Sequence, residues 1–318
     1  MKRIVLFFTV IAALATPFAT AAEKPLILST IKPIQSLVSA IAGDTAETLQ
    51  MVPDYASPHS YSLKPSDLRR LNKAKLVFRI DPKMEAQLNK SLDSMDQDKL
   101  IILSQAPGLE LLDAGHAHTE EAHSEHDESD EEHRDEAHKD EDHDEEEKDY
   151  HLWLDPQNAI IMTDVIRDAL IKTLPKHKTA LEENAKQLKQ AITLADTEIS
   201  EQLASVSEQP FLVMHDAWQY FTHHYELKQL GSITQQEGLK PSGKALSAAR
   251  KLIKDSAVRC IVNEPGVKSR TLAVLTEDLK INTTQIDPLG RAIPVSDQAY
   301  PELLRYTATQ LLNCLKPE

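Results

Sequence analysis

From Lys176 to Val206 the chain runs without a proline or a glycine, and Leu181, Ala185, Leu188, Ile192, Ala195, Ile199 and Leu203 recur at spacings of three and four. That period puts all seven on one face of an α-helix. At 1.5 Å per residue such a helix is roughly 45 Å long, more than the width of a domain of about 100 residues. A rod of this length cannot sit inside one small core. The rest of the chain must form bodies packed along it.

On both sides of the rod short apolar runs alternate with helical stretches. Ahead of it, strands are expected over 26–30, 47–52, 76–80 and 100–103. Helices are expected from Lys32-Pro33 to Gly43-Asp44, from a Ser66 cap to about Asn72, from Asp81-Pro82 onward, and from Pro156 to Lys172. Behind it, strands over 211–214, 230–233, 258–262 and 283–286 alternate with helices over 216–225, 242–254, 267–279 and 297–315. Strand and helix in alternation predict βα units and parallel sheets. The expected fold is α/β: two Rossmann-like lobes, each a mainly parallel four-stranded sheet with flanking helices, joined by one long linking helix. At 318 residues the chain is long enough for two such cores. The expected division is an N-terminal lobe over 23–175, the linking helix over 176–206 and a C-terminal lobe over 207–318.

The first lobe is interrupted by a tract of another kind. Between His116 and Asp149 lie eighteen carboxylates, three basic residues (Arg134, Lys139, Lys148) and seven histidines: His116, His118, His123, His126, His133, His138 and His143. The tract carries −15, which is the charge of the whole protein; elsewhere 32 basic residues balance 32 acidic ones. With little to bury and strong self-repulsion, the loop over 113–149 is expected to be mobile. A solvated spacer is the plainest reading. The histidines favour an auxiliary role, in which imidazoles and carboxylates hold several metal ions weakly and interchangeably.

The amino terminus reads Lys2-Arg3, an apolar run from Ile4 to Ala15, and Ala19-Thr20-Ala21-Ala22. This is the pattern of a secretory signal peptide over 1–22, cleaved near Ala21 or Ala22, and it directs the mature chain out of the cytoplasm. In that setting Cys260 and Cys314, the two cysteines of the chain, read as a disulfide rather than as metal thiolates. No GxGxxG or GxxxxGK[ST] occurs, so nucleotide binding has no support, and the balanced charge outside the tract offers no basic face to nucleic acid.

Six histidines lie outside the tract. His59 follows the strand ending at Val52, His151 lies beyond the strand ending near Leu103, and His215 directly follows the strand Phe211–Met214. Asp287 is placed the same way after the last strand. Loops leaving the carboxyl ends of parallel strands share one edge of the sheet, where ligands bind. Three imidazoles and one carboxylate, two from each lobe, would form a four-coordinate cleft site suited to Zn²⁺ more than to Mn²⁺ or Mg²⁺. His177, His223 and His224 fall at or within helices and are expected at the surface.

Several segments together carry a resemblance. Ser57 to Leu71 (SPHSYSLKPSDLRRL), the tract running into His151–Pro156 (HLWLDP), Val213 to Phe221 (VMHDAWQYF), Asn263 to Ser269 (NEPGVKS) and Ile286 to Gly290 (IDPLG) resemble the metal-binding solute receptors of ABC importers, above all the periplasmic zinc receptors. The likeness covers nearly the whole chain beyond residue 22. It implies a monomeric extracytoplasmic receptor that carries Zn²⁺ between its lobes to an inner-membrane ABC permease driven by a cytoplasmic ATPase. It implies His59, His151 and His215 as zinc ligands, with Asp287 or water as the fourth. Some zinc receptors have a glutamate before the first histidine, where this chain has Pro58. Manganese-type relatives usually carry a carboxylate at the position of His215, so this histidine favours zinc.

Two other readings stay open at this level. Three histidines and an open water position also describe a zinc hydrolase or hydratase, although HExxH is absent. A metal buffer or adhesin would instead make the tract the functional part and the lobes its scaffold.

Overall fold

The computed structural model describes residues 23–114, 147–234 and 237–316; the signal peptide expected over 1–22 and the seven tract histidines lie outside the described residues. In the first lobe the elements are β1 (Leu26–Ser29), α1 (Lys32–Ala42), β2 (Glu47–Gln50), α2 (Pro65–Lys73), β3 (Leu76–Arg79), α3 (Asn89–Leu92), β4 (Leu100–Ile102) and α4 (Pro156–Thr173). The long helix α5 spans Lys178–Leu203. The second lobe holds β5 (Phe211–His215), α6 (Gln219–His224), β6 (Gln229–Thr234), α7 (Gly243–Asp255), β7 (Cys260–Asn263), α8 (Ser269–Thr276), β8 (Asn282–Gln285) and α9 (Ala299–Leu315).

Each lobe contains a four-stranded sheet, ordered β2-β1-β3-β4 and β6-β5-β7-β8, with every pairing parallel. Parallel pairing follows from the crossover helices between consecutive strands. The expected fold class is the one observed.

The buried face of α5 consists of the seven residues that the spacing singled out. It packs on α1 and α4 of the first lobe and on α9 of the second. Residues of all four helices join one apolar cluster that runs through both lobes. Smaller clusters back the outer face of each sheet, around Val77 and Leu88 in the first lobe and around Ile261 and Leu275 in the second. The linking helix is therefore a shared wall of both cores.

Local expectations fail where tertiary partners intervene. Asp81-Pro82 opens turns and a 3-10 segment before the single-turn α3, not a continuous helix. The cause is Glu85, whose buried carboxylate accepts the backbone N–H of Ile80 and Asp81, each at 3.3 Å, and folds the chain back on the strand end. α2 is capped by Asp67, which accepts the Lys64 N–H at 2.8 Å, and not by Ser66. The helix expected over 216–225 shortens to Gln219–His224, because the Ala217 N–H turns back onto the His215 carbonyl at 2.9 Å.

Cys260 at the start of β7 and Cys314 in α9 form a disulfide. It fastens the terminal helix to an inner strand of the second sheet. Closing 54 residues constrains the unfolded chain by about 4 kcal/mol in the chain-entropy account. Among the described residues no helix is long and apolar enough to cross a membrane.

Candidate metal centre

The carboxyl ends of both sheets face the cleft between the lobes, and three imidazoles meet there. His59 comes from the loop after β2, His151 from the segment leading into α4, and His215 is the last residue of β5. Each offers one ring nitrogen, and the three nitrogens lie within 4.8 Å of one another. Ring centroids are 5.6 Å apart for His59 with His151, 5.6 Å for His59 with His215, and 5.1 Å for His151 with His215. Among the described residues this is the one group of three or more such side chains disposed to hold a metal.

Two of the three are oriented by carboxylates. His151 Nδ1 lies 2.6 Å from Asp149 Oδ1, which also accepts the His151 backbone N–H at 2.9 Å. His215 Nδ1 lies 3.2 Å from each oxygen of Glu264. A carboxylate only accepts, so Nδ1 carries the hydrogen on both rings, and in the neutral form the lone pair lies on Nε2. The two Nε2 atoms are buried and have no hydrogen-bond partner among the described residues. Buried polar atoms are almost always paired. Carboxylate-backed imidazoles presenting a bare nitrogen to a common point are the usual support of a bound metal ion.

The electrostatics distinguish the three imidazoles. Burial, with His151 and His215 close by, holds His59 down at about 3, so its ring is neutral at any ordinary pH. His151 is also buried, which works against its charged form, but Asp149, Glu264 and Asp216 outweigh this and raise it above the ordinary imidazole value. Metal binding needs neutral imidazole, so a proton must leave His151. Metal affinity should therefore fall as pH drops through the raised value of His151, while His59 adds no proton competition until near 3. Calorimetric titration in buffers of different ionisation enthalpy counts the released protons. An affinity flat from pH 8 to pH 5 would overturn the assignment.

Asp287 does not join the three imidazoles. Its oxygens accept the backbone N–H of Leu289 at 3.1 Å and of Arg291 at 2.6 Å, and the Arg291 guanidinium at 3.1 Å. Arg291 also reaches Glu237 at 2.7 Å. The strand-end rule put Asp287 at the right edge, but the turn after it brings Arg291 back to claim the carboxylate. Among the described residues the gathered group takes two imidazoles from the first lobe and one from the second. His224 is not a surface residue either: it is half-buried, 3.3 Å from Asp155 and 2.7 Å from Asp196, where it ties α6 to the start of α4 and to α5. His177 and His223 are exposed as expected.

Sequence reasoning passed over Asp149 and Glu264. Asp149 was counted as the last charge of the tract, although it stands two residues before His151. Glu264 follows β7 directly, so the same strand-end rule that singled out Asp287 could have found it. A cavity of about 390 Å³ adjoins the centre, lined by His215 and Glu264 from one lobe and by Tyr55 and Ser57 from the other.

With this geometry in hand, the comparisons with known proteins are specific. The family model described as "Zinc-uptake complex component A periplasmic" (ZnuA) matches residues 27–314. The high-affinity zinc uptake system protein ZnuA of Haemophilus ducreyi is 36% identical over 310 residues, covering 98% of this chain and 99% of its own. A crystal structure of ZnuA superposes with a TM-score of 0.74 at 22% identity, covering 92% of this chain and all of its own. A ZnuA deletion mutant with zinc bound gives 0.72 at 21%, covering 93% and all. The structural likenesses speak for the fold, and the family match with the full-length relative speaks for descent: the chain belongs to the ZnuA family of periplasmic zinc-uptake components.

Proposed function

We propose that this protein captures Zn²⁺ in the interlobe site and delivers it to an inner-membrane ABC permease, driven by a cytoplasmic ATPase, for high-affinity zinc uptake. The observation that carries this is the set of three imidazole nitrogens within 4.8 Å of one another, with no other donor yet engaged at two of them. His59, His151 and His215 hold the ion, and the fourth position is left to water. Three imidazoles suit Zn²⁺ better than oxygen-seeking Mn²⁺. Asp149 and Glu264 hold two of the rings in their binding tautomer.

The protein is a receptor and not an enzyme. A hydrolase would need a free carboxylate or imidazole beside the metal-bound water. The carboxylates around the centre are engaged elsewhere: Asp149 and Glu264 with ligand Nδ1 atoms, Asp287 with Arg291, and Asp216 with the side chain of Gln229. The chain acts as a periplasmic monomer after loss of residues 1–22, with lobes over 23–175 and 207–318 about the linking helix. The tract histidines form a weaker auxiliary store. Cargo passes into the cleft, where His59, less buried than the other two, is the ligand nearest solvent.

The reading is tested by zinc stoichiometry and affinity, measured by competition with a strong chelator, on mature protein lacking 116–148. One tight ion should remain. If tight binding disappears with the tract, the metal buffer becomes the better account.

A further inference from the structure

His151 is a residue of the first lobe, yet much of what holds it in place comes from the second. Tyr220, in α6, stands five residues beyond His215 and is 2% exposed. Its hydroxyl accepts the Leu112 N–H at 3.0 Å and donates to the Asp149 carbonyl at 2.7 Å. Leu112 and Asp149 belong to a two-stranded stem closed by the Asp149 N–H on the Leu112 carbonyl at 3.0 Å and by an antiparallel bridge between Asp113 and Lys148. Gln219, the neighbour of Tyr220, adds a bond to the Asp113 carbonyl at 2.9 Å. One side of this stem leads directly into the Asp149 carboxylate and His151. The hydroxyl thus fixes the backbone of the residue whose side chain aims His151.

We propose that Tyr220 is a positioning residue for zinc capture, acting on His151 through Asp149. The segment 215–220 then carries one ligand and the clamp for another, so the spacing of the two buried imidazoles is set inside one short stretch of the second lobe. His59 is left as the ligand whose position depends on how the lobes meet, because the hydrogen bonds of its loop, Ser60 and Tyr61 N–H to the Ser57 carbonyl and the Tyr61 hydroxyl to Asp67, stay within the first lobe. The inference rests on His151 being a zinc ligand, as proposed above.

The structure contains a matched control. Tyr300 is equally buried and donates its hydroxyl across the lobes to the Trp153 carbonyl at 2.6 Å, a bond of the same kind that does not pass through Asp149. Zinc affinity is measured by chelator competition on the full mature chain, alongside the visible spectrum of the Co²⁺-substituted protein. Tyr220→Phe should lower affinity by at least about tenfold, the range in which outer partners of metal ligands act, and should shift the Co²⁺ bands. Tyr300→Phe should change affinity by less than about threefold and leave the bands in place. In an Asp149→Asn background Tyr220→Phe should cost nothing further, since two residues on one path are not additive.

Equal losses in the two tyrosine variants would mean a general loosening of the lobes and would overturn the proposal, as would an additive loss in the double variant or no loss at all. If Tyr220→Phe fails to fold, Gln219→Ala carries the same test at the partly exposed end of the stem: a loss of affinity that vanishes in the Asp149→Asn background supports the path, and its persistence there sinks it. Zinc affinity unchanged by His151→Ala would instead show that the ligand assignment itself has failed.

Discussion

His215→Ala should weaken zinc binding by on the order of 1000-fold or more, about 4 kcal/mol, well beyond the roughly 10–100-fold that losing an outer partner costs. The substitution removes a direct donor from a set of three imidazoles within 4.8 Å and leaves Glu264, 1% exposed, without the ring it supports. His151→Ala should cost as much, because it strips Asp149 of its partner as well as the ion of a donor. His59→Ala removes an imidazole with no carboxylate hydrogen-bonded behind it among the described residues, so its loss should fall at the smaller end of the same range. Competition with a strong chelator measures all three. A variant of any of the three that keeps wild-type affinity would remove that residue from the site. His177→Ala, at an exposed position, should leave affinity unchanged and serves as the reference.

A loss of similar size, but in folding rather than binding, is expected from Arg79→Ala. Arg79 and Glu85 are both 0% exposed and lie 3.3 Å apart behind the end of β3. The guanidinium also bonds the carbonyls of Asp81 and Glu85 at 3.2 and 3.4 Å and Asn89 at 2.8 Å, and the Thr30 hydroxyl donates to Glu85. Burial pushes the Glu85 carboxyl upward, with Thr30, Arg79 and the Ile80 N–H opposing that shift. Removing the arginine leaves a buried acid without its counter-charge, a change that costs about 3–5 kcal/mol in comparable pairs. Urea unfolding should show a lower midpoint with an unchanged slope. Arg79→Met combined with Glu85→Gln should recover much of the loss, because a buried ion pair contributes little net stability once neither charge is present. If the single and double variants unfold alike, the pair is not what holds this turn.

The fold was legible because its determinants are local. The face of α5 could be counted off at spacings of three and four, and the βα alternation implied parallel sheets before any contact was known. His59, His151 and His215 were legible for a related reason: topology sends the carboxyl ends of parallel strands to one edge, and residue type does the rest. Asp287 met the same criterion and is diverted. Its loop returns Arg291 within hydrogen-bonding distance of the carboxylate, and no local pattern states how a four-residue turn will close. The helix expected at Asp81-Pro82 was displaced for a similar reason, by a glutamate whose partners Thr30 and Arg79 come from other elements.

By itself, then, the sequence determined the two α/β lobes, the helix that joins them, the disulfide partners and the three imidazoles, since each depends on periodicity, chain order or residue chemistry. Only the tertiary structure decided which carboxylates serve the site. Asp149 and Glu264 orient His151 and His215, Asp287 is taken by Arg291, half-buried His224 is held between Asp155 and Asp196, and Tyr220 clasps the stem that leads to His151. A carboxylate or hydroxyl bonds whichever donor or acceptor comes within about 3 Å, and that neighbour is fixed by how distant segments pack rather than by their order along the chain.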